Sequence, residues 1–404
     1  MNFTRKGFLR AIAGGGVASG LGALLPGSLF AAAQAEKKRR PTITSVDAAP
    51  FSVALHSEAK VALGVPPTAD NVLIRLRTSD GTIGYGEVSS YSPVMSETQG
   101  TNLALARPLG SLLLGRDPFE LPQLLDAMVS TSPRSSGIIA AFEMALWDLC
   151  GKIAGQPVYR LLGAAKESFE TDCTVFLGAP EEMAKVAVDW VREGFPAIKV
   201  KLGQAPALDI ARVRAIREAV GPQVRLWCDA NQGWSVTDSL VALRGIAPYG
   251  LEFCEQPVKD WDWNGLRHVR ANSPVPIMAD ESVHSPHDAI EGLRQNAFDM
   301  INIKLMKTGG ILPAVRLAHV AAAANVPCMV GCMAETRLAL TAAAHVVMSQ
   351  AIIRWADLDA YHEMVVDPCT GGMKVERGVV TLPDTPGLGI EMDPAIVKKL
   401  QAVA

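Results

Sequence analysis

From about residue 170 the chain repeats one pattern of apolar and polar positions. Short apolar runs begin at DCTVFLG (172), AIKVKLG (197), VRLWCDAN (224), LEFCEQP (251), PIMADES (276), MINIKLM (300), VPCMVGC (326) and IIRWADLD (352). They start about 25 residues apart and are separated by segments with helical periodicity, such as ALDIARVRAIREAVG (207–221) and ILPAVRLAHVAAAANV (311–326). Eight strands alternating with helices predict a closed parallel barrel. An open doubly wound sheet is the alternative, but no Gly-rich dinucleotide loop follows a first strand. Residues 41–100 read instead as an antiparallel meander with a turn at SDGT, followed by a helical stretch over 138–163. The tail, 371–393, returns to strand and turn. It is expected to rejoin the first module.

The N-terminus breaks this pattern. MNFTRKGFLR carries three positive charges and no acid, and the apolar, Gly-rich AIAGGGVASGLGALLPGSLF follows. The segment closes on Ala33-Gln34-Ala35, an A-x-A cleavage pattern. Residues 1–35 are therefore expected to be an export signal. TRKGFLR resembles a twin-arginine signal with Lys6 in the second arginine position. Its removal shifts the net charge from −3 to about −6, and the expected location is the periplasm. The expected organisation is a signal at 1–35, a capping domain from 36 to 165, a barrel from 166 to 365 and a returning segment from 366 to 404.

The 404 residues are 49% apolar, enough for a sizeable core. The weak negative charge implies no nucleic-acid partner and no membrane-binding surface, nor stable membrane insertion after signal cleavage. Self-association is left open. The seven cysteines are odd in number and contain no CxxC pair, so they read as small core residues. Cys328 and Cys332 are expected on one strand.

Barrel chemistry sits where strands end. The polar residues there are Lys199 and Lys201 on the second strand, Asp229 and Asn231 on the third and Glu255 on the fourth. Asp280 and Glu281 follow on the fifth, Lys304 on the sixth, and Asp357 and Asp359 on the eighth. Asp229, Glu255 and Asp280 come from three adjacent strands. Three converging acids repel unless a cation joins them, and an all-oxygen set suits Mg²⁺, with Mn²⁺ as the alternative. The competing reading is that each acid caps the next helix. Lysines on strands two and six would flank that ion, and a lysine of lowered pKa can serve as base toward a carbon acid. Lys199, on the same strand face as Lys201, is the neighbouring cation expected to lower it.

AIKVKLG, WCDANQGW, FCEQP, ADES and INIKLMKTGGI together resemble the enolase superfamily, in its muconate-lactonizing subgroup; WDLCGKIAGQPVYRLLG and PGLGI fit as well. The resemblance spans roughly 42–393. It implies an α/β fold, a modified TIM-type (β/α)7β barrel with an α+β capping domain. It further implies Lys201 and Lys304 as bases and Asp229, Glu255 and Asp280 as Mg²⁺ ligands. Relatives of mandelate racemase place a histidine after strand seven. Here that strand ends in VGCMAE, while His319 and His345 fall in helical segments. The D-x-D of Asp357 and Asp359, together with VGCMAET, resembles the dipeptide epimerases, in which it holds the substrate α-ammonium. On a strand, two such acids share one face.

The implied reaction is a 1,1-proton transfer at the α-carbon of the C-terminal residue of a dipeptide. A cycloisomerase or o-succinylbenzoate synthase is the alternative within the fold, and an exported peptide-binding protein without catalysis the alternative outside it. Specificity is expected from the loop 56–67. Lys60 is its only lysine or arginine, Gly64 stands where relatives acting on L-Ala-L/D-Glu resemble one another in placing an arginine, and Glu58 is its one acid. With export toward peptidoglycan fragments, Lys60 makes L-Ala-D/L-Glu the first expectation, and hydrophobic or other dipeptides the alternative. Lys199 is grouped with Lys60, Asp357 and Asp359 as substrate-binding.

Overall fold

The computed structural model describes residues 40–56, 60–64 and 68–404. The expected export signal, and the loop residues 57–59 (with Glu58) and 65–67, lie outside the described residues. Among the described residues no helix is long and apolar enough to cross a membrane.

The first module is an antiparallel sheet of β1 (Ile43–Ala54), β2 (Thr68–Thr78) and β3 (Ile83–Ser89). The β2–β3 turn is fixed by Asp80, whose Oδ1 accepts from the Thr78 hydroxyl at 2.6 Å and the Thr82 N–H at 3.1 Å. Gly81 supplies the positive φ of 86° that this turn needs. Three helices cover the sheet: α1 (Gln99–Ser111), α2 (Leu121–Thr131) and α3 (Ser136–Ala154). Helix α3 is apolar nearly all round and is buried accordingly. It crosses β3 so closely that a Cβ on Gly86 would lie 1.9 Å from the Ala141 carbonyl oxygen. The helical stretch expected over 138–163 is not continuous. Gly155, at φ 66°, ends α3, and a short helix (Val158–Leu161) follows Pro157.

The barrel strands are β4 (Cys173–Val175), β5 (Ala197–Lys201), β6 (Arg225–Asp229), β7 (Cys254–Glu255), β8 (Ile277–Ala279), β9 (Met300–Ile303), β10 (Cys328–Val330) and β11 (Ile353–Ala356). They pair in parallel in that order. The Asp172 N–H donates to the Ala356 carbonyl at 3.2 Å, bringing the first strand against the eighth. Seven helices of ten or more residues lie between them: α4 (Pro180–Glu193), α5 (Pro206–Val220), α6 (Val236–Ile246), α7 (Trp263–Asn272), α8 (Pro286–Gln295), α9 (Ile311–Ala323) and α10 (Arg337–Ser349), with one short helix, Leu305–Thr308, directly after β9. The chain then returns to the first module, where β12 (Gln401–Ala402) pairs with β1. His319 and His345 lie in α9 and α10.

Strand alternation stacks the barrel interior in layers. The lowest is a separate apolar cluster of Ala197, Trp227, Phe253, Met278, Met300 and Met329, with Trp355 packed against it. Trp227 stacks on Phe253 at 5.2 Å between ring centroids. Two residues further along each strand stand Lys199, Asp229, Glu255, Asp280, Asn302, Gly331 and Asp357. The apolar floor thus excludes water from beneath a layer that is almost wholly charged or polar.

Candidate active site

The strand-end acids do not cap the helices that follow them. Ser235, Asp262 and Ser285 accept from the first-turn N–H groups of α6, α7 and α8. Asp229, Glu255 and Asp280 are instead fully buried and face the barrel axis.

Lysines compensate these charges. Lys199 Nζ lies 2.7 Å from Asp357 Oδ2, 2.8 Å from Glu255 Oε2 and 3.1 Å from Asp229 Oδ2. Lys201 Nζ is 2.7 Å from Asp229 Oδ2, and Lys304 Nζ is 2.7 Å from Asp280 Oδ2. Lys307 Nζ is 2.6 Å from Asp280 Oδ1. It also donates to the backbone carbonyls of Asp280, Val283 and Asn302. Asn302 in turn donates to Glu255 Oε1 at 2.6 Å.

The electrostatics follow from burial and these contacts. Burial alone would raise Asp229, but Lys201, Lys199 and Lys304 outweigh it and hold the carboxyl at about 2. Asp280 is likewise driven well down, against burial, by Lys304 and Lys307. Glu255 goes the other way: burial and then Asp229 push it up to about 8. Burial and Asp280 push Glu281 to about 7. For Lys304 burial favours the neutral form, yet Asp280 and Glu255 hold its pKa well above the ordinary lysine value. Lys199 is raised the same way by Asp357, Glu255 and Asp229.

The donor set fits a hard divalent cation. Burial and neighbouring acids push Glu255 to about 8 and Glu281 to about 7, a crowding of buried carboxylates that a bound cation would relieve. Glu255 Oε2 and both Asp280 oxygens touch ammoniums without a well-directed hydrogen bond. Carboxylates of this kind are suited to Mg²⁺. Among the described residues, the acidic group whose ligand atoms lie within 4.8 Å of one another is Cys332, Asp357 and Asp359. Asp229, Glu255 and Asp280 do not form such a group; Lys199 contacts both Asp229 and Glu255, while Lys304 and Lys307 contact Asp280.

Above this layer opens a cavity of about 110 Å³, lined by Lys201, Lys304, Asn231, Asp357 and Asp359 among others. The two lysines reach it from the second and sixth of eight strands, that is, from opposite sides. Asp359 Oδ2 accepts the Thr174 N–H at 2.7 Å, and Cys332 Sγ lies 3.8 Å from its Oδ1. Burial and then Asp357 raise Asp359 to about 6, whereas Lys199 and Lys201 outweigh burial and keep Asp357 low.

Two models of known families match the chain. Residues 41–163 match the mandelate racemase/muconate lactonizing enzyme N-terminal domain, and residues 182–396 match the enolase C-terminal domain-like family. The chain belongs to the mandelate racemase/muconate lactonizing enzyme family of the enolase superfamily. It is similar to the hydrophobic dipeptide epimerase of Enterococcus faecalis, with 39% identity over 82% of this chain and 94% of that protein. The L-Ala-D/L-Glu epimerase of Clostridium acetobutylicum is 38% identical over 84% of this chain and 96% of its own length. The crystal structure of the Cytophaga hutchinsonii dipeptide epimerase, complexed with Mg and D-Ala-L-Val, superposes with a TM-score of 0.87 at 36% identity, covering 89% of this chain and 99% of that one. These family relatives are isomerases, epimerases among them.

Several positions differ from the expectations. Strand β11 ends at Ala356, and Asp359 has helical dihedrals, φ −105° and ψ −4°. The two acids therefore share the site through a turn and not through a strand face. Cys332 likewise lies beyond β10, off the strand expected to carry it with Cys328. All seven cysteines are free and buried. Lys199, grouped with substrate-binding residues, is one layer deeper than Lys201, 1% exposed and absent from the cavity lining. Lys60 is exposed and does not line the cavity; its carbonyl accepts the Leu177 N–H at 2.9 Å.

Four positions were not singled out in advance. Lys307 and Asn302 brace Asp280 and Glu255. Glu87, buried in β3, accepts from Asn71 Nδ2, the Thr336 hydroxyl and the N–H groups of Thr336 and Ala339, so it ties the capping sheet to the loop carrying Cys332 and Met333. Asp172 lies fully buried near Asp357 and Asp359, and burial with those acids drives its pKa well up. The i+3 spacing of Lys307 from Lys304 was the one signal visible beforehand.

Proposed function

We propose that the protein is a Mg²⁺-dependent dipeptide epimerase, catalysing a 1,1-proton transfer at the α-carbon of the C-terminal residue. The observation that carries this is one cavity lined from opposite sides by Lys201 and Lys304 and closed at one end by Asp357 and Asp359. The substrate ammonium is seated by Asp357 and Asp359. Its carboxylate points across the barrel toward Asp229, Glu255 and Asp280, which would hold the ion. The bound ion stabilises negative charge that develops on the substrate carboxylate. One lysine removes the α-proton, and the other, protonated, delivers a proton to the opposite face.

A muconate or succinylbenzoate dianion offers nothing to the paired acids and would be repelled by them. The reading of residues 1–35 as an export signal places the enzyme in the periplasm, within reach of peptidoglycan fragments. The L-Ala-D/L-Glu expectation rests on that location and on Lys60. The test of the general reading is ¹H NMR in D₂O with Mg²⁺ and a panel of free dipeptides. Loss of the α-proton signal of the second residue, with appearance of the second diastereomer, is expected. A panel showing no exchange removes the proposal.

A further inference from the structure

The walls of the cavity bear on the substrate side chain, and the argument rests on the dipeptide reading above. With the carboxylate toward strands three to five and the ammonium toward strand eight, the amide and carboxylate fix two directions from the α-carbon. Lys201 and Lys304 occupy its two faces. The layer of Lys199, Glu255 and Asn302 lies below. The side chain of the second residue can leave only upward, toward the capping module.

That module lines the cavity with Leu55, Val61, Val94 and Tyr91. Phe176 and Met333 flank them from the barrel. The Tyr91 hydroxyl already donates to the Gly64 carbonyl at 2.7 Å. Among the described residues, no arginine or lysine of the capping module lines this wall, and no acid of that module does either. The acids of the lining, Asp357, Asp359 and Glu363, all belong to the segment after β11, at the ammonium end. A glutamate carboxylate placed against the upper wall would be desolvated without a cation, and a lysine ammonium without an anion. An aliphatic or aromatic side chain would bury apolar surface there.

We infer that the second residue of the preferred dipeptide is apolar, and that Leu55, Val61 and Val94 set this preference. It departs from the L-Ala-D/L-Glu expectation, whose one cation, Lys60, stands outside the lining.

The test uses the full Mg²⁺-loaded enzyme and compares kcat/KM for L-Ala-L-Leu, L-Ala-L-Phe, L-Ala-L-Glu and L-Ala-L-Lys. The apolar pair is expected to exceed both charged substrates by about tenfold or more. Val61→Arg, which supplies a cation to the wall, is expected to move the Glu-to-Leu ratio toward glutamate by about tenfold. Lys60→Ala is expected to leave the ratio within about twofold. A wild-type preference for the Glu or Lys dipeptide overturns this inference while leaving the epimerase reading standing. So does a Val61→Arg enzyme that is active on L-Ala-L-Leu with an unchanged ratio. Absence of turnover on every free dipeptide removes the epimerase reading itself.

Discussion

Lys199 Nζ and Asp357 Oδ2 stand 2.7 Å apart, and the same ammonium reaches Glu255 Oε2 at 2.8 Å. One buried charge thus joins the proposed ammonium end of the site to its proposed metal end. Removing it leaves Asp357 and Glu255 without their shared ammonium, and breaking a buried ion pair in this way costs about 3–5 kcal/mol. Lys199→Met should therefore unfold at markedly lower denaturant concentration at pH 7. The double variant Lys199→Met/Asp357→Asn should lose less than the sum of the single changes, because they share one interaction. Additive losses would mean that the pair is not coupled.

Asp357 and Asp359 are proposed to read a free amino terminus. Acetylating that terminus removes the cation these buried acids would bind, a loss of about 1.5–3 kcal/mol. N-acetyl-L-Ala-L-Leu should then show kcat/KM roughly 10- to 100-fold below that of L-Ala-L-Leu. Equal turnover of the two would exclude the role.

Chelation should abolish activity, and Mg²⁺ should restore it. The bracing of Asp280 by Lys307 adds a sharper expectation. Lys307 holds Asp280 Oδ1 at 2.6 Å, so Lys307→Met should weaken Mg²⁺ binding by about 10- to 100-fold. Calorimetric titration of the protein with Mg²⁺ reads this without any substrate. Unchanged affinity would assign Lys307 to folding alone.

His345 gives a stability prediction away from the site. Its Nδ1 accepts the Tyr159 N–H at 3.0 Å, and its Nε2 lies 3.2 Å from the Leu388 carbonyl, so the buried ring is neutral. Burial lowers its pKa from 6.5 to about 4. The unfolded chain therefore takes up a proton first as pH falls. The stability tied to this ring is complete above about pH 6.5 and is lost progressively toward pH 4. It amounts to about 2 kcal/mol at pH 5 relative to pH 7. Denaturant unfolding at the two pH values should show that difference in the wild type and a smaller one in His345→Asn.

The barrel was legible because eight apolar runs recur about 25 residues apart, six of them closed by a charged or amide residue. AIKVKLG became β5 and placed Lys201 at its last residue. The end of a strand is harder to read than its presence. In RWADLD the apolar residues continue through Leu358, so alternation alone extends the strand past Ala356, where hydrogen bonding stops it. Depth was not legible either. Lys199 and Lys201 share a face, yet a two-residue step separates an ionic brace from a cavity-lining group. Lys307 escaped notice because most of its partners are backbone carbonyls, which no side-chain pattern records. The loop around Lys60 offered a charge in sequence, while the wall it adjoins is built from Leu55, Val61 and Val94.

The central claim is that Lys201 and Lys304 act on opposite faces of one α-carbon. It is tested most directly by following α-proton exchange into each epimer separately, in D₂O with Mg²⁺, for Lys201→Ala and Lys304→Ala. Each variant should lose epimerisation by about 10²- to 10⁴-fold while still binding Mg²⁺. Each should retain exchange with one epimer only, and the retained epimer should differ between the two. Near-wild-type epimerisation by either variant, or retention of the same epimer by both, would contradict the account.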